Sequence, residues 1–316
     1  MQLIRHVRGI RVLCEVAERG SFSAAAGGLG LTQSAVSQHV AALERELGLQ
    51  LVQRGTRPTE LTEAGHVLAR HGRVINVRLD SAEQELAEIA GRRAGRLRFG
   101  SFPTALTTFV PAALARLRGE WPGHALTVVD DHMQRLLPRL TDGELDLAVV
   151  YDHEVLPEAG PGRLRRVALF DDTYRAVLPP GHRLARRDAV EIADLAEEAW
   201  VGGHAGSAWF RIVRHACRAA GFEPRTSLGS DDYRAVQAFV AAGLGVAVIP
   251  GLAVVDATPG VRVRKLRTGA PVRRISVAYP ADDFQPPAVR TMTTILQDVT
   301  RRFHGRAAPP AAPPPA

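Results

Sequence analysis

A run of hydrogen-bonding side chains lies near the N-terminus, at the start of a predicted helix over 33–47. The apolar residues Val36, Val40 and Leu43 recur every three or four positions, which places the polar residues on a different face. Glutamine pairs with adenine through two hydrogen bonds, and serine binds either a base edge or a phosphate. The polar side chains are Thr32, Gln33, Ser34, Ser37, Gln38 and His39. They suit contact with DNA, and the alternative is a helix face that is merely solvated.

Two arginines follow in a predicted hairpin over 51–61, whose turn contains Gly55 and Pro58. Arg54 and Arg57 suit contacts with phosphates or with the minor groove of DNA. Phosphate contacts supply affinity and register, whereas base contacts supply specificity. The alternative for Arg54 is an ion pair on the protein surface.

A second group of candidates lies in the C-terminal two thirds of the chain, where predicted strands and helices alternate. This alternation predicts parallel sheets with helices on both faces, and ligands of such sheets bind outside the carboxyl ends of strands. The predicted strands are 96–101, 125–130, 145–150, 164–178, 200–201, 246–249 and 272–279, and the predicted helices are 103–118, 132–142, 207–220, 231–242 and 286–303. The candidates at strand ends and helix starts are Ser101, Phe102, Thr104, Asp130, Asp131, Tyr151, Gly203, His204, Ser230 and Asp231.

These candidates also have plainer interpretations. Ser101 and Ser230 are suited to capping helices, and His204 to an ordinary position in a loop. Asp130 and Asp131 suit a solvated turn. The carboxylates close to the predicted crevice are Asp130, Asp131, Asp152 and Asp231. They disfavour a simple dicarboxylate unless arginines compensate, so we expect a neutral or cationic effector.

The elements that hold the first group are three short helices, the hairpin and one long helix. The short helices are predicted over 3–18, 22–28 and 33–47, and the long one over 62–90. Its apolar residues follow a heptad pattern and are Leu68, Ile75, Leu79, Ala82, Leu86 and Ile89. Such a pattern indicates a coiled-coil seam and hence dimerisation. The alternative is a helix that packs on its own domain in a monomer.

Composition excludes several classes of protein. The chain has 316 residues, a net charge of +7 and only two cysteines, Cys14 and Cys217, so neither a disulfide scaffold nor a cysteine-based zinc site is available. No stretch approaches the roughly 20 apolar residues of a membrane helix, and no signal peptide is evident, so we expect a soluble, cytoplasmic protein. GxSxG, Walker, HExxH and GxGxxG motifs are absent from the sequence, so we expect no catalytic residue, cofactor or metal. A metal site formed by Asp131, His132, Asp152 and His153 is an alternative that no spacing supports.

The chain resembles the LysR-type transcriptional regulators over about residues 3–303. The segment GSFSAAAGGLGLTQSAVSQHVAALERELGLQLVQRGTRPTELTEAG is similar to the helix-turn-helix signature of that family. The matching positions are Phe22, Ala25, Ala26, Leu29, Gln33, Ser34, Ser37, Leu43, Glu44, Leu47, Gly48, Leu51, Arg54, Leu61, Thr62 and Gly65. The segments FVPAALARLRGEWP, LTDGELDLAVV and VAAGLGVAVIP resemble parts of the family's effector-binding domain.

The resemblance implies a fold, an organisation and a set of partners. The fold is an N-terminal winged helix-turn-helix, all-α with a small β wing, joined by a long linker helix to an α/β two-lobed domain like periplasmic binding proteins. The implied ranges are 1–61 for the DNA-binding domain, 62–91 for the linker helix, 95–303 for the effector domain and 304–316 for a disordered tail. Lobe I would comprise about 95–165 and 272–303, and lobe II about 166–271. The implied partners are double-stranded DNA with an interrupted palindromic operator, a small-molecule effector, a homodimer or homotetramer, and RNA polymerase.

The sequence also departs from the family pattern. Gly27 and Gly28 stand in the second helix, where charged or bulky residues are usual, and Ser34 stands where proline is frequent. Gln38 and His39 occupy positions where arginine is common, so the base preference of relatives does not carry over. The resemblance supports Ser101, Phe102, Asp130 and Gly203 most closely as effector contacts, and the other candidates rest on strand ends alone.

Two other classes of function stay open at this point. The chain could be a small-molecule-binding protein or an enzyme of the periplasmic-binding-like fold with an accessory DNA-binding domain. A thiol peroxide sensor, as found within the family, needs a pair of cysteines in the effector domain. Only Cys217 lies there, so switching through an internal disulfide is not expected.

Overall fold

A computed structural model of the chain describes residues 3–53, 58–90, 95–156, 164–281 and 285–307. It divides into two compact units, Met1–Gly95 with Asp142–Glu144, and Arg96–Thr141 with Leu145–Ala316. Among the described residues, no helix is both long and apolar enough to cross a lipid bilayer.

The first unit is helical. A 3-10 turn over Leu3–His6 leads into α1 (Val7–Arg19), followed by α2 (Phe22–Leu29), α3 (Gln33–Leu47) and α4 (Glu63–Ile89). The caps explain these boundaries. Ser21 Oγ accepts the Ala24 N–H at 3.0 Å at the start of α2, and left-handed glycines end α1, α2 and α3. The predicted helices of this unit are confirmed.

The core of the first unit joins these helices to the base of the wing. Leu13, Val36 and Leu43 are fully buried in it, and Val52 pairs with Leu61 in an antiparallel bridge. The tip of the predicted hairpin, including Arg54 and Arg57, lies outside the described residues. The α4 helix packs closely on α1 at Gly72, where a Cβ would lie 2.8 Å from Cys14 Sγ.

The second unit contains a five-stranded sheet with strand order β2-β1-β3-β11-β4. Its strands are β1 (Arg96–Ser101), β2 (Ala125–Asp130), β3 (Leu147–Asp152), β4 (Leu164–Thr173) and β11 (Val272–Pro280). Its helices are α5 (Pro103–Leu106), α6 (Val110–Glu120), α7 (Met133–Thr141) and α10 (Pro287–Ala307). β1 runs parallel to β2 and β3, but β11 runs antiparallel to both β3 and β4. The predicted parallel pairing therefore holds for β1, β2 and β3 but is wrong for β11 and β4, because β11 enters between β3 and β4 in the opposite direction.

The rest of this unit forms a second lobe with its own hydrophobic core. The four-stranded sheet β6-β10-β5-β9 joins the two-stranded sheet β7-β8 through a bridge between Trp200 and Val246. The strands are β5 (Arg175–Leu178), β6 (Ala189–Val190), β7 (Ala199–Gly202), β8 (Arg225–Gly229), β9 (Ala247–Ile249) and β10 (Arg262–Leu266), and the helices are α8 (Ala208–Ala219) and α9 (Tyr233–Ala241). Trp209, Ile212 and Val236 are buried between the helices and the sheets.

The boundary between the lobes differs from the predicted one. The predicted strand 164–178 is two strands. β4 pairs with β11 from Leu164 to Thr173, whereas β5 pairs with β10 and β9 in the second lobe. The Tyr174 N–H donates to the Pro271 carbonyl at 2.9 Å, so the two crossings between the lobes lie side by side. We therefore define lobe I as 96–173 with 272–307, and lobe II as 174–271.

Two helix boundaries also differ from the sequence prediction. The predicted helix 103–118 is two helices, since Pro111 has no N–H to extend a hydrogen-bonded helix back across 107–109. The last helix runs to Ala307 rather than ending at 303, because no proline interrupts it before Pro309. The remaining part of the predicted disordered tail, 308–316, lies outside the described residues.

Candidate functional site

The exposed face of α3 carries the predicted DNA-reading side chains. Gln33, Ser34, Ser37 and Gln38 are exposed, His39 is half-buried, and the apolar stripe on the opposite face is buried. Thr32 is the N-cap of the helix, since its Oγ1 accepts the Ala35 N–H at 3.2 Å and lies 3.0 Å from Ser34 Oγ. The helix thus presents a row of polar groups that its own backbone does not use, apart from the capping threonine.

A cavity of about 720 Å³ lies between lobe I and lobe II. Five of the predicted effector residues line it, namely Phe102, Thr104, Tyr151, His204 and Asp231. The lobe I wall comes from the end of β1, the start of α5 and the end of β3. The lobe II wall comes from the loop after β7 and from α8 and α9. Five of the ten candidates thus lie together at one cavity, and effector binding there stays a prediction.

The other five predicted residues do not line this cavity. Ser101 is fully buried, and Asp130 is exposed at the end of β2 on the edge of the sheet. Asp131 Oδ1 accepts the His132 N–H at 2.9 Å, and Ser230 Oγ accepts the Asp232 N–H at 3.2 Å. The Asp131 hydrogen bond is local, and Phe102 rather than Ser101 is the N-cap of α5. Asp232, rather than Ser230, is the N-cap of α9.

Gly203 supports the cavity wall from behind. A Cβ at this position would lie 2.7 Å from Ser207 Oγ, 2.8 Å from Asp231 Oδ1 and 2.9 Å from Trp209 Cε3. Glycine is therefore required because the loop after β7 packs tightly on the starts of α8 and α9. Gly203 is predicted to contact the effector, but in the structure it packs behind the cavity wall and does not line the cavity.

A buried ion pair forms the floor of the cavity. Arg273 is 2% exposed and Asp172 is 5% exposed, and Arg273 Nη2 donates to Asp172 Oδ2 at 2.6 Å. Arg273 Nη2 also donates to Thr104 Oγ1 at 3.2 Å, and Asp172 Oδ1 accepts the Leu252 N–H at 3.0 Å. Because Leu252 belongs to lobe II, this ion pair connects the two lobes.

Aromatic rings surround the Arg273 guanidinium. Its central carbon lies 4.8 Å from the ring centroid of Tyr151, 5.1 Å from that of Phe102 and 6.0 Å from that of Tyr174. Burial alone lowers the pKa of Arg273, but the Asp172 carboxylate and the neighbouring phenols outweigh it and raise the pKa above its usual value. The arginine is therefore a fixed positive charge within an aromatic cage.

The lobe II wall combines aromatic rings with carboxylates. Trp209 and Tyr233 pack edge to face with ring centroids 5.0 Å apart, and Trp209 Nε1 donates to the Val248 carbonyl at 2.8 Å. Burial raises the pKa of the Tyr233 phenol, which keeps it neutral and able to donate a hydrogen bond. The charged side chains of this wall are Asp231, Asp232, Asp256 and Arg234. The wall therefore favours a ligand with an apolar surface and hydrogen-bond donors.

The sequence analysis missed the ion pair and the second aromatic wall. The missed residues that form them are Asp172, Tyr174, Trp209, Tyr233 and Arg273. One signal was available for Arg273. Alternation along β11 places it on the same face as Ile275, which indicates a charged residue on the core side of a strand.

The structure supports neither a metal site nor a reactive thiol among the described residues. They contain no group of three or more metal-ligating side chains. Cys14 and Cys217 are both buried in cores, and burial raises the pKa of their thiols to about 11 and about 12, respectively. Both thiols are therefore protonated at neutral pH, which suppresses their nucleophilicity.

Comparison with protein families matched both units. Residues 7–66 match the family model described as "Bacterial regulatory helix-turn-helix protein, lysR family". Residues 90–301 match the model described as "LysR substrate binding domain". The family models thus span the helix-turn-helix of the first unit and both lobes of the second.

Individual proteins are similar to the chain over most of its length. A "Probable hydrogen peroxide-inducible genes activator" from Mycobacterium avium is 32% identical over 306 residues, which is 94% of this chain and 95% of that protein. The regulator ShiR from Corynebacterium glutamicum (strain R) is 33% identical over 77% of this chain and 81% of its own. Among solved structures, the Corynebacterium glutamicum OxyR C206 mutant has a TM-score of 0.60 at 26% identity, covering 95% of this chain and 93% of that one. Full-length CbnR in complex with its target DNA has a TM-score of 0.65 at 21% identity, covering 95% and 100%.

Proposed function

Because this chain belongs to the LysR family of bacterial transcriptional regulators, we propose that α3 reads its operator and that the interlobe cavity binds its effector. The chain is a DNA-binding transcriptional regulator with a two-lobed effector-binding domain. It belongs to a family of regulators rather than of enzymes.

The proposal for DNA reading depends on one observation, the exposed polar face of α3. The first residues of the second helix in a helix-turn-helix enter the major groove, where base edges are distinguishable. We assign base contacts to Gln33, Ser34, Ser37 and Gln38, with Thr32 and His39 at the periphery. Arg54 and Arg57 are assigned to phosphates or to the minor groove on the basis of sequence alone.

Fluorescence anisotropy tests this assignment. The purified protein is titrated with its own upstream intergenic DNA and with a scrambled duplex, each at two salt concentrations. Gln33→Ala should reduce the preference for the upstream DNA about five- to a hundredfold, because a bidentate base contact is lost. Gln297→Ala makes the same change on α10 of the other unit and should leave the preference intact. If neither duplex is preferred and binding collapses with salt, only phosphates are bound and the assignment fails.

The proposal for effector binding depends on the interlobe cavity. Small-molecule sites are largely apolar and contain a few convergent polar groups. The lining of this cavity has that composition, with the rings of Phe102, Tyr151 and Trp209 beside the Thr104 hydroxyl. Asp231, Asp232 and Asp256 outnumber Arg234 on the wall, and Arg273 is already paired with Asp172. These charges support a neutral or cationic effector. Asp130 and Asp131, on which part of that expectation relied, lie outside the lining.

The names of two relatives suggest a second candidate function, a response to hydrogen peroxide. The Mycobacterium avium and Mycobacterium leprae relatives are described as probable hydrogen peroxide-inducible genes activators. In this chain Cys217 is buried within lobe II with its pKa raised to about 12, and Cys14 lies in the other unit. A thiolate-based peroxide response therefore has no support from the thiols of this chain.

A further inference from the structure

A second cavity, of about 430 Å³, lies beside the effector cavity and shares part of its wall. Gln134, Tyr151 and Ala208 line both. The second cavity differs in charge, because three arginines line it. They are Arg166 on β4, Arg211 on α8 and Arg274 on β11.

The three guanidinium groups differ in their partners. Arg166 Nη1 donates to Asp152 Oδ2 at 2.7 Å, so this pair is neutral overall. Arg211 and Arg274 are exposed and form no ion pair with any carboxylate of the described residues. Arg274 lies opposite Asp152 and Asp171 in the sheet, but neither carboxylate comes within ion-pair distance of it.

The other polar groups of the cavity offset these two charges only in part, because Glu154 is the one further carboxylate among the described residues of its lining. Glu154 is highly exposed, and its Oε1 lies 3.8 Å from His215 Nε2. His153 is buried, and its Nδ1 accepts the Val155 N–H at 3.3 Å, which leaves the ring proton on Nε2. The cavity therefore contains two guanidinium groups without an ion-pair partner in the described part of the chain, one exposed carboxylate (Glu154) and a histidine that can donate from Nε2.

We propose that this second cavity binds a small-molecule oxyanion, a phosphate or a carboxylate, with Arg211 and Arg274 as its direct ligands. Guanidinium groups bind such oxyanions through two parallel hydrogen bonds, which are stronger than those of neutral donors. Arg211 belongs to lobe II, whereas Arg166 and Arg274 belong to lobe I. The bound anion therefore bridges the lobes and stabilises the arrangement in which both arginines reach it.

This site is separate from the effector cavity in its charge and in its ligands. Its occupancy does not require that the effector be neutral or cationic, and it does not require DNA. Binding at this site is therefore measured on the full chain without DNA, so a negative result leaves the proposed function untouched.

Isothermal titration calorimetry of the full chain tests the proposal with two probes, inorganic phosphate and citrate, at constant ionic strength. We expect saturable binding of at least one probe, and the tighter one identifies the phosphate or the carboxylate class. Arg211→Ala and Arg274→Ala should each weaken it about tenfold or more, because a charge-assisted contact is lost. If the Arg211→Ala variant does not fold, Arg211→Gln replaces it in this titration and should weaken binding in the same way.

Arg218→Ala is the matched control. Arg218 lies on the same helix as Arg211, but it pairs with Glu223 and lines neither cavity. The Arg218→Ala variant should bind both probes with the same affinity as the unmodified chain. Binding that survives in Arg211→Ala and Arg274→Ala would reflect arginines elsewhere and would overturn the proposal, as would the absence of saturable binding by both probes. A loss with Arg211→Ala alone would place the anion on lobe II and overturn the bridging role.

Discussion

At the scale of single residues, the Asp172–Arg273 pair explains how the effector cavity keeps its shape. The two residues are register partners in the β4–β11 ladder, one position from the crossing between the lobes. Gly251 permits the approach of lobe II to this pair, since a Cβ there would lie 2.7 Å from Asp172 Oδ1. A buried ion pair adds little net stability, because desolvation offsets the attraction. Its contribution is to position Thr104, Tyr151 and the lobe II backbone.

Replacing one partner of this ion pair should lower the free energy of unfolding more than replacing both. Arg273→Met should lower the free energy of unfolding by about 3–5 kcal/mol, because it leaves the Asp172 carboxylate buried and unpaired. Adding Asp172→Asn should recover more than half of that loss, since the amide keeps an acceptor for the Leu252 N–H. Urea denaturation of the single and double variants measures this. Additive losses would contradict the coupling.

The sequence predicted some of the strand ends that face the cavity, but not this ion pair. Phe102, Thr104 and Tyr151 follow strands, and the position of a strand end can be derived from alternation alone. Arg273 lies inside a strand, next to the exposed Arg274, and a charged residue there is normally assigned to the solvent face. Its partner, Asp172, is 101 residues away, and no local pattern connects them.

At the scale of elements, α4 divides its apolar seam between two roles. Leu68 is 8% exposed and belongs to the core of its own unit. Leu79 and Leu86 are 46% and 65% exposed, and Ile75 is also exposed. The heptad pattern predicted one continuous seam, whereas Leu68 packs within the chain and Ile75, Leu79 and Leu86 are exposed and available to a second chain. These exposed residues support pairing through α4.

Charged substitutions on the exposed part of α4 should prevent this pairing. Leu79→Glu with Leu86→Glu should convert the protein from a dimer or tetramer to a monomer, because buried like charges across a coiled-coil seam repel. Multi-angle light scattering after size-exclusion chromatography measures the mass. Leu244→Glu, at a leucine that is 48% exposed on lobe II, is the control and should leave the mass unchanged. An unchanged mass in the α4 variant would contradict pairing through this helix.

At the scale of the whole molecule, the overall charge and the charge of the effector cavity have opposite signs. The chain carries +7, but the carboxylates of the lobe II wall outnumber its arginine. Net charge alone suggests an acidic ligand, whereas the carboxylates that line the cavity support the proposed neutral or cationic effector. The charge that matters is the one that the fold brings to the cavity.

A comparison of two ligands tests that inference. The comparison uses the Arg211→Ala variant, in which anion binding at the second cavity should be weak. In this variant the cation 2-phenylethylammonium should bind at least about tenfold more tightly than the dianion muconate, because the carboxylates of the wall attract the cation and repel the dianion. Calorimetry at equal ionic strength measures both affinities. Asp231→Asn should reduce the difference. Tighter binding of muconate would refute a neutral or cationic effector.

The paired crossings at Thr173–Tyr174 and Pro271–Val272 also determine the order in which the ribosome completes the two lobes. Lobe II is one continuous insertion, whereas lobe I still lacks β11 and α10 when residue 271 is added. In the described sheet, β4 has no neighbour other than β11. Because domains generally fold as units, lobe I cannot complete its sheet until all of lobe II has been synthesised. A premature stop anywhere between 174 and 271 therefore leaves β4 unpaired, and late truncations are as damaging to lobe I as early ones.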